Sequence, residues 1–166
     1  MLADLWHALS GIPTEVTTLI VAALPISEVR GAIPYAVTLG DLSWQTAFIF
    51  GVIGNAMPVA PLLLGLEPVS EWLRRWKTWD RFFDWLFTRT RRRGKLVERF
   101  EAVGLMLFVS IPLPVTGAWT GCVAAFIFGI RPRLAFPMVL CGILIAATVV
   151  TLATMGVIGG IGLITG

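Results

Sequence analysis

The sequence contains few charged residues, and this scarcity defines its class. Only 14% of its 166 residues are charged and 57% are hydrophobic, whereas soluble domains have about 25% charged residues. This balance excludes a water-soluble enzyme, a nucleic-acid-binding module and a disordered tail. It predicts an all-α integral membrane protein, and the length predicts a single membrane domain over residues 1–166.

Cysteine and histidine are also scarce. Cys122 and Cys141 lie in apolar runs, and His7 is the only histidine. These runs contain no neighbouring metal ligand, so both cysteines are expected to be free, buried thiols. Neither a Ser/His/Asp nor a Cys/His arrangement is present, and paired catalytic carboxylates are absent. The sequence therefore predicts no metal, no cofactor and no enzymatic activity.

The charges that do occur are concentrated in one segment. Ten of the 13 basic and six of the 10 acidic residues fall within residues 67–101. Outside this segment, one apolar stretch, residues 16–40, is interrupted only by Glu28 and Arg30. Three other stretches carry no charge and exceed the roughly 20 residues needed to cross a bilayer; they are residues 42–66, 102–130 and 134–166. Four membrane-embedded segments are therefore expected.

Two of these segments contain helix breakers near their centres. Residues 13–41 are interrupted at Pro25, and residues 102–130 at Pro112 and Pro114. Proline removes a backbone donor and disfavours helix in the preceding residue. Each half is then a helix of about 10 to 13 residues, which reaches the midplane without crossing. We expect two re-entrant hairpins; one kinked spanning helix per segment is the alternative.

The positive-inside rule favours the hairpins. If the linker of residues 67–101 is cytoplasmic, a re-entrant second segment also returns Arg131 and Arg133 to the cytoplasmic side. Both chain termini then lie outside the cell (inner) membrane. The remaining predicted segments are a short N-terminal segment (1–12), two transmembrane helices (43–66 and 134–155) and a Gly-rich tail (156–166).

A weak internal repeat accompanies this organisation. Its two copies are separated by 86 to 89 residues. Each copy would contain one hairpin and one crossing, so the second is expected to be inverted relative to the first. Chance recurrence of Gly and Phe in an apolar chain is the alternative. The matched positions are Arg30-Gly31-Ala32, Gly40, Phe48 and Gly54 in one copy, and Thr116-Gly117-Ala118, Gly129, Phe136 and Gly142 in the other.

The linker combines an aromatic face with a basic cluster. Trp72, Trp76 and Trp79 recur at helical spacing, which predicts a cytoplasmic amphipathic helix at the membrane interface. Anionic lipid headgroups are its expected partner, at about 1 kcal/mol per basic side chain. Nucleic-acid binding is not expected, because the aromatic side chains do not form a stacking platform. The basic cluster includes Arg91, Arg92 and Arg93.

The predicted site consists of the two broken hairpin tips. Glu28 and Arg30 are the only ionisable residues deep inside an apolar segment, where each charge costs at least about 2.5 to 3.5 kcal/mol. Non-helical backbone at that depth requires a polar cavity, which Asn55 would help to line. Helices beginning near Gly31 and Gly117 would direct N–H groups at an anion. The other predicted lining residues are Pro34, Pro112, Pro114, Thr116, Trp119 and Thr120.

The two charges allow two interpretations. Arg30 would add a fixed positive charge to an anion site, with the Thr116 and Thr120 hydroxyls as further donors. Glu28, the sole embedded carboxylate, would exchange protons and couple substrate movement to the proton gradient. Alternatively, Glu28 and Arg30 neutralise each other and hold the hairpin together, and this structural role is compatible with the functional one.

Two stretches resemble the signature motifs of the small multidrug export protein family. They are Ser27-Glu28-Val29-Arg30-Gly31-Ala32-Ile33-Pro34 and Pro112-Leu113-Pro114-Val115-Thr116-Gly117-Ala118-Trp119-Thr120-Gly121. That family is similar to the wider DedA, or VTT, membrane proteins, for which re-entrant hairpins in inverted repeats are proposed and polyprenyl-phosphate translocation is reported. The resemblance implies a secondary transporter or a lipid flippase.

The resemblance to DedA proteins is closer in the first hairpin than in the second. Pro25-Ile26-Ser27-Glu28 is similar to the Pro-x-Ser/Gly-Glu stretch of the first DedA hairpin, which implies a proton-linked role for Glu28. The second DedA hairpin has two arginines flanking Ile-Pro, and residues 109–116 here have none. Arg30, Arg131 and Arg133 are left as the available cations.

The sequence therefore predicts an ion-coupled transporter or flippase, with the proton as the expected ion. Its expected substrate is amphiphilic, either an anionic polyprenyl-phosphate-like lipid or a small drug. A non-transporting membrane scaffold or assembly factor is the alternative, in which the linker forms the partner surface. Glycine spacings at Gly156, Gly160, Gly162 and Gly166 favour packing of a second copy of the chain, although a flexible tail explains them equally well.

Overall fold

The computed structural model describes residues 12–73, 95–112 and 116–165, and these residues form helices joined by short connections. No strand occurs in these ranges, which confirms the predicted all-α fold. In chain order the helices are α1 (Thr14–Ala23), α2 (Glu28–Thr38), α3 (Trp44–Ala56), α4 (Val59–Leu73), α5 (Lys95–Ser110), α6 (Ala118–Phe128) and α7 (Pro132–Thr165).

Among the described residues, two apolar helical stretches are long enough to cross a membrane. They are Trp44–Leu66, with a mean hydropathy of 1.9, and Pro132–Gly160, with a mean hydropathy of 2.3. Their positions agree with the two predicted transmembrane helices. The helices of the predicted hairpins are shorter: α1, α6 and the apolar part of α5 each have 10 to 17 residues. At 1.5 Å per residue, such helices are too short to span about 30 Å of hydrocarbon.

The first of the two long stretches contains a turn. α3 ends at Ala56, Met57 and Pro58 form the turn, and α4 begins at Val59. Pro58 has no N–H group to continue the hydrogen-bond ladder of α3. Its carbonyl accepts a hydrogen bond from Leu62 N–H at 2.9 Å, so a new helix starts at once. The single helix predicted over residues 43–66 is therefore corrected to two helices joined by a turn.

The last helix is longer than predicted. α7 continues to Thr165, through residues predicted to form a Gly-rich tail. A glycine inside a helix costs about 1 kcal/mol in water. In apolar surroundings the backbone has no alternative hydrogen-bond partner, so the helical ladder is retained despite the glycines.

The chain forms two compact units. In the first, residues 1–56 with 144–166, the helices α1, α2 and α3 pack against one another. Its fully buried side chains are mostly small and include Ala22, Ala32, Ile33, Ala36 and Ala47. Small side chains let the helix backbones approach closely, as in other membrane helix packings.

The second unit comprises residues 57–143. In it, α4 and α5 both pack against α6. Cys122 lies in this core, with its Sγ atom 3.9 Å from the Val59 carbonyl oxygen. Both cysteines are free, as predicted, but only Cys122 is buried. Cys141 is exposed on α7, because it lies on a face of that helix that the described residues leave uncovered.

Very close helix contacts at glycines occur in both units, and one in each involves the backbone of a neighbouring helix. A Cβ atom on Gly54 of α3 would lie 2.8 Å from Ala22 Cβ and would also clash with the Leu19 carbonyl oxygen on α1. A Cβ atom on Gly142 of α7 would lie 2.8 Å from the Met106 carbonyl oxygen on α5. The two glycines are matched positions of the predicted repeat. Inversion of one copy relative to the other stays a prediction.

Candidate functional site

The predicted first hairpin contains a helix break between Ala23 and Glu28, near Pro25, as its sequence predicts; that it is re-entrant stays a prediction. α1 ends at Ala23, and the Leu24 N–H donates to the Val21 carbonyl oxygen at 3.3 Å. The Ser27 hydroxyl donates to the same carbonyl. The Glu28 N–H donates to the Leu24 carbonyl oxygen at 3.1 Å. These hydrogen bonds satisfy backbone groups that a break would otherwise leave unpaired in an apolar environment.

Glu28 is the first residue of α2 and adopts an unusual backbone conformation. Its φ angle is +47°, in the left-handed region that costs a side-chain-bearing residue about 1 to 2 kcal/mol. Its side chain is nonetheless buried, with only 3% of the residue exposed. Strain of this kind persists where the surrounding structure imposes it and is frequent at functional sites.

Arg30 pairs with Glu28, as the structural interpretation of the two charges expects. The distance from Arg30 Nη2 to Glu28 Oε2 is 3.4 Å, and the Arg30 side chain is 18% exposed. This distance exceeds the roughly 2.7 to 2.9 Å of a strong charge-assisted hydrogen bond. Arg30 Nη1 is buried and has no hydrogen-bond partner among the described residues. The ion pair therefore leaves part of the guanidinium group unsatisfied.

Asn55 carries a second unsatisfied polar atom. It lies one residue before the end of α3, is 1% exposed, and its Oδ1 atom has no hydrogen-bond partner among the described residues. Leaving such a group unpaired in a protein interior costs about 1 to 3 kcal/mol. Buried polar atoms without partners are rare in native structures, and a bound water or ion is one common explanation for them.

Gly31 and Pro34 shape the helix that carries the pair. The helix α2 begins at Glu28 rather than near Gly31, the predicted start, so Gly31 lies in its first turn. A Cβ atom on Gly31 would lie 2.8 Å from Ser27 Cβ, and glycine keeps this space open. Pro34 lies inside α2. Because proline lacks an N–H group, the Arg30 carbonyl loses its helical hydrogen bond.

The helices of the predicted second hairpin, α5 and α6, belong to the other compact unit; that they form a re-entrant hairpin stays a prediction. Gly117 precedes α6, as predicted, with extended backbone. The Thr116 hydroxyl donates to the Ile111 carbonyl oxygen, and the Thr120 hydroxyl donates to the Gly117 carbonyl oxygen at 3.3 Å. Each hydroxyl has one hydrogen to donate, so in this arrangement neither threonine supplies the donor to a ligand that the sequence predicts.

The remaining predicted residues are only partly described. Pro112 and Trp119 are half-buried in the second unit. Trp72 lies on α4, but its side chain is outside the description, and Pro114, Trp76, Trp79, Arg91, Arg92 and Arg93 lie outside the described residues. Among the described residues, no group of three or more His, Cys, Asp and Glu side chains is placed to hold a metal ion.

A groove in the second unit was not predicted from the sequence. It encloses about 400 Å³ between α5 and α6, and its walls are apolar except for Glu101. A Cβ atom on Gly104 would meet no atom within 4 Å, so this glycine helps to open the groove. Gly104 was therefore an available sequence signal. The lining residues are Glu101, Gly104, Leu105, Phe108, Ala124 and Phe128.

These features define an all-helical membrane protein with a buried carboxylate–guanidinium pair at a helix break. The chain belongs to the family described as "Putative small multi-drug export protein", whose model matches residues 28–149. The match begins at Glu28, includes both helix breakers of the second hairpin, and confirms the resemblance found in the sequence. The similarity to DedA proteins stays a prediction. No curated protein and no solved structure matches the chain.

Proposed function

We propose that this protein is a proton-coupled secondary transporter of amphiphilic molecules, with Glu28 as the residue that carries the proton. The family description, small multi-drug export, supports a transport function. One observation carries the proton coupling: Glu28 is buried to 3% exposure beside a helix break and contacts Arg30. Buried intramembrane carboxylates are costly, and proton relays are one of their established uses.

Protonation of Glu28 would change the charge of the first unit. With Glu28 ionised, the pair with Arg30 is neutral overall. With Glu28 protonated, the guanidinium keeps its positive charge, because arginine does not deprotonate in proteins. An unpaired buried charge is unfavourable, so this state requires either a rearrangement at the break or a counter-charge from the substrate. This requirement would couple protonation of Glu28 to binding or movement of the substrate.

The groove between α5 and α6 supports an amphiphilic substrate. Its volume of about 400 Å³ lies within the range of small-molecule sites, about 300 to 1,000 Å³, and its aromatic and aliphatic walls suit hydrocarbon. Export of small drugs and translocation of lipids both use such substrates. The protein would move them unchanged, without acting as an enzyme. Anionic headgroups around the basic linker and a second copy of the chain are its proposed partners.

The proposed location follows from the same charges. We place the protein in the cell (inner) membrane, with the linker of residues 67–101 in the cytoplasm and both termini outside. This orientation puts most of the basic side chains on the cytoplasmic side, as the positive-inside rule requires.

Replacing Glu28 tests the proposal directly. Wild type and Glu28→Gln are reconstituted into liposomes that contain a pH-sensitive dye, and candidate lipid phosphates and cationic drugs are added. Glutamine preserves the shape of the side chain but does not exchange a proton, so substrate-driven proton movement should fall at least about tenfold. Glu15→Gln is the matched control, because it makes the same substitution in the first turn of α1, at the opposite end of that helix from the break.

Two outcomes would contradict the proposal. Proton movement that is unchanged in Glu28→Gln would exclude Glu28 as the carrier. If Glu28→Gln keeps the biological activity while substitutions in the linker abolish it, the alternative function, a non-transporting membrane scaffold or assembly factor, would be favoured. Both variants are first compared with wild type by size-exclusion chromatography, so that a misfolded protein is not scored as an inactive one.

A further inference from the structure

The groove between α5 and α6 has one polar end. Its lining residues on α5 recur at spacings of three and four, so they lie on one face of that helix. Glu101 is the first of them and Phe108 the last, which gives the groove a length of about 10 Å at 1.5 Å of rise per residue. The groove therefore has a carboxylate at one end and apolar walls along the rest.

Phe128 of α6 lies at the same end as Glu101. A Cβ atom on Gly121 would contact Val109 and lie 3.9 Å from Leu105 Cδ1, which aligns the two helices. The connection of residues 111–117 is short, so α5 and α6 run antiparallel. Phe128 follows Gly121 by about two turns, and this step leads toward the start of α5. The register agrees with the groove, which both Glu101 and Phe128 line.

The position of Glu101 suits the headgroup level of a bilayer. It is the last charged residue before the charge-free stretch of residues 102–130, and the apolar part of α5 is Phe100–Ser110. Glu101 is half-buried, so water reaches it and its charge costs less than that of a buried group. An amphiphile in the groove can therefore place its headgroup at Glu101 and its hydrocarbon along the apolar walls, in the orientation of the surrounding lipid.

The carboxylate favours a positively charged headgroup. A carboxylate has about four acceptor positions on its two oxygens, so Glu101 can pair with a cation and keep contacts within the protein. The exposed ring of Phe128 at the same end can add a cation–π contact. Among the described residues that line the groove, none is basic. An anionic headgroup at this end would be repelled by Glu101.

Arg131 provides the competing arrangement. It lies three residues beyond Phe128 and is exposed, but it does not line the groove. An anionic headgroup at Arg131 would also allow a hydrocarbon chain to enter the groove. The two arrangements require opposite headgroup charges, so a binding measurement distinguishes them.

We propose that the groove between α5 and α6 binds organic cations with a hydrocarbon body, and that Glu101 selects their charge. The inference rests on the proposed transport function only where it takes this ligand to be the substrate. It adds a substrate class, amphiphiles with one positive charge. It also adds a specificity-determining residue that belongs to a different compact unit from Glu28.

Two amphiphiles with the same chain test the charge preference. Octyltrimethylammonium and octyl phosphate differ in headgroup charge, and each is titrated onto the full chain in phosphatidylcholine nanodiscs, with empty nanodiscs as the blank. Wild type is expected to bind the cation at least about tenfold more tightly. The chain has a net charge of +3, so long-range attraction favours the anion, and a preference for the cation must arise locally. Equal affinity, or tighter binding of the phosphate, would overturn the proposal.

Substitution of Glu101 tests its role in this preference. Glu101→Gln should remove the preference, and Glu101→Lys should reverse it in favour of octyl phosphate. Glu15→Gln is the matched control, because it makes the same substitution at another half-buried glutamate, on α1. It should keep the wild-type preference. An unchanged preference in a Glu101→Gln protein that elutes like wild type would exclude Glu101 as the selecting residue.

Filling the groove tests the location of the site. A Cβ atom on Gly104 would meet no atom within 4 Å, so Gly104→Leu should fold normally, occupy the groove and weaken cation binding at least about tenfold. Gly65→Leu on α4 is the control, because Gly65 has the same free space but does not line the groove. It should bind the cation like wild type. Full binding by Gly104→Leu would show that the cation binds elsewhere.

Glu28→Gln separates this proposal from the proposed function. This variant should keep the wild-type affinity for the cation and lose substrate-driven proton movement. If wild type binds the cation through Glu101 but moves protons with no substrate, the proton coupling is wrong and the binding site stands. If proton movement depends on Glu28 while Glu101→Gln and Gly104→Leu bind the cation normally, the transport function stands and the groove is not the site.

Discussion

Replacing Gly54 by alanine is expected to destabilise the protein by about 3 kcal/mol or more, near the upper end of overpacking effects. The new methyl group would lie 2.8 Å from Ala22 Cβ and would overlap the Leu19 carbonyl oxygen. Backbone atoms cannot rotate away as a flexible side chain can, so α1 and α3 must separate. The loss is measured as a lower thermal unfolding midpoint in detergent, followed by tryptophan fluorescence.

The control for this variant is another helical glycine with free space around it. A Cβ atom on Gly65 of α4 would meet no atom within 4 Å. Gly65→Ala should therefore leave stability unchanged or raise it by up to about 1 kcal/mol, through the higher helix propensity of alanine. Gly142→Ala, at the matched position of the repeat, should resemble Gly54→Ala. Equal stability of Gly54→Ala and Gly65→Ala would show that the close contact of α1 and α3 does not exist.

Removing one member of the buried ion pair should have an effect of similar size. Arg30→Gln leaves the Glu28 carboxylate in the interior without its guanidinium partner, and broken buried pairs cost about 3 to 5 kcal/mol. The double variant Glu28→Gln/Arg30→Gln carries no buried charge and should recover most of this loss. The same unfolding assay measures the four proteins of this double-mutant cycle.

The outcome of the cycle separates coupled from independent roles. Additive losses in the two single variants would mean that Glu28 and Arg30 do not interact, contrary to their 3.4 Å separation. Arg133→Gln, at an exposed position, should change stability by less than about 0.5 kcal/mol. The neutral double variant also gives a folded protein in which transport can be assayed without the ion pair.

Local chemistry was predictable from the sequence because it acts over a few residues. Pro25 and the polar residues after it indicated the first helix break, and Glu28 and Arg30 were identified as a pair because they are the ionisable residues deep in that apolar segment. The spacing of two residues already allows contact across the start of a helix. Asn55 was also identified, from its position at the centre of an apolar stretch.

Features that depend on tertiary packing were not predictable. The turn at Met57 and Pro58 is different, because Pro58 is a local helix breaker; it was missed since the prediction of one helix over residues 43–66 used apolar length alone. The left-handed backbone of Glu28 has no local sequence signal, since glycine or asparagine normally occupies that region. The groove between α5 and α6 brings together residues about 20 positions apart; Gly104 is a local signal of open space, but the groove itself is formed by the packing of the two helices.

The left-handed backbone conformation of Glu28 implies that thermal stability and transport activity favour different residues at this position. Glycine adopts a φ of +47° without steric penalty, and it would also remove a buried carboxylate. A library of variants sorted only for heat resistance should therefore enrich Glu28→Gly, provided that Arg30 is neutralised in the same molecule. The selected variants should be thermally stable but inactive in transport, because selection for stability alone would remove the residue on which the proposed proton cycle depends.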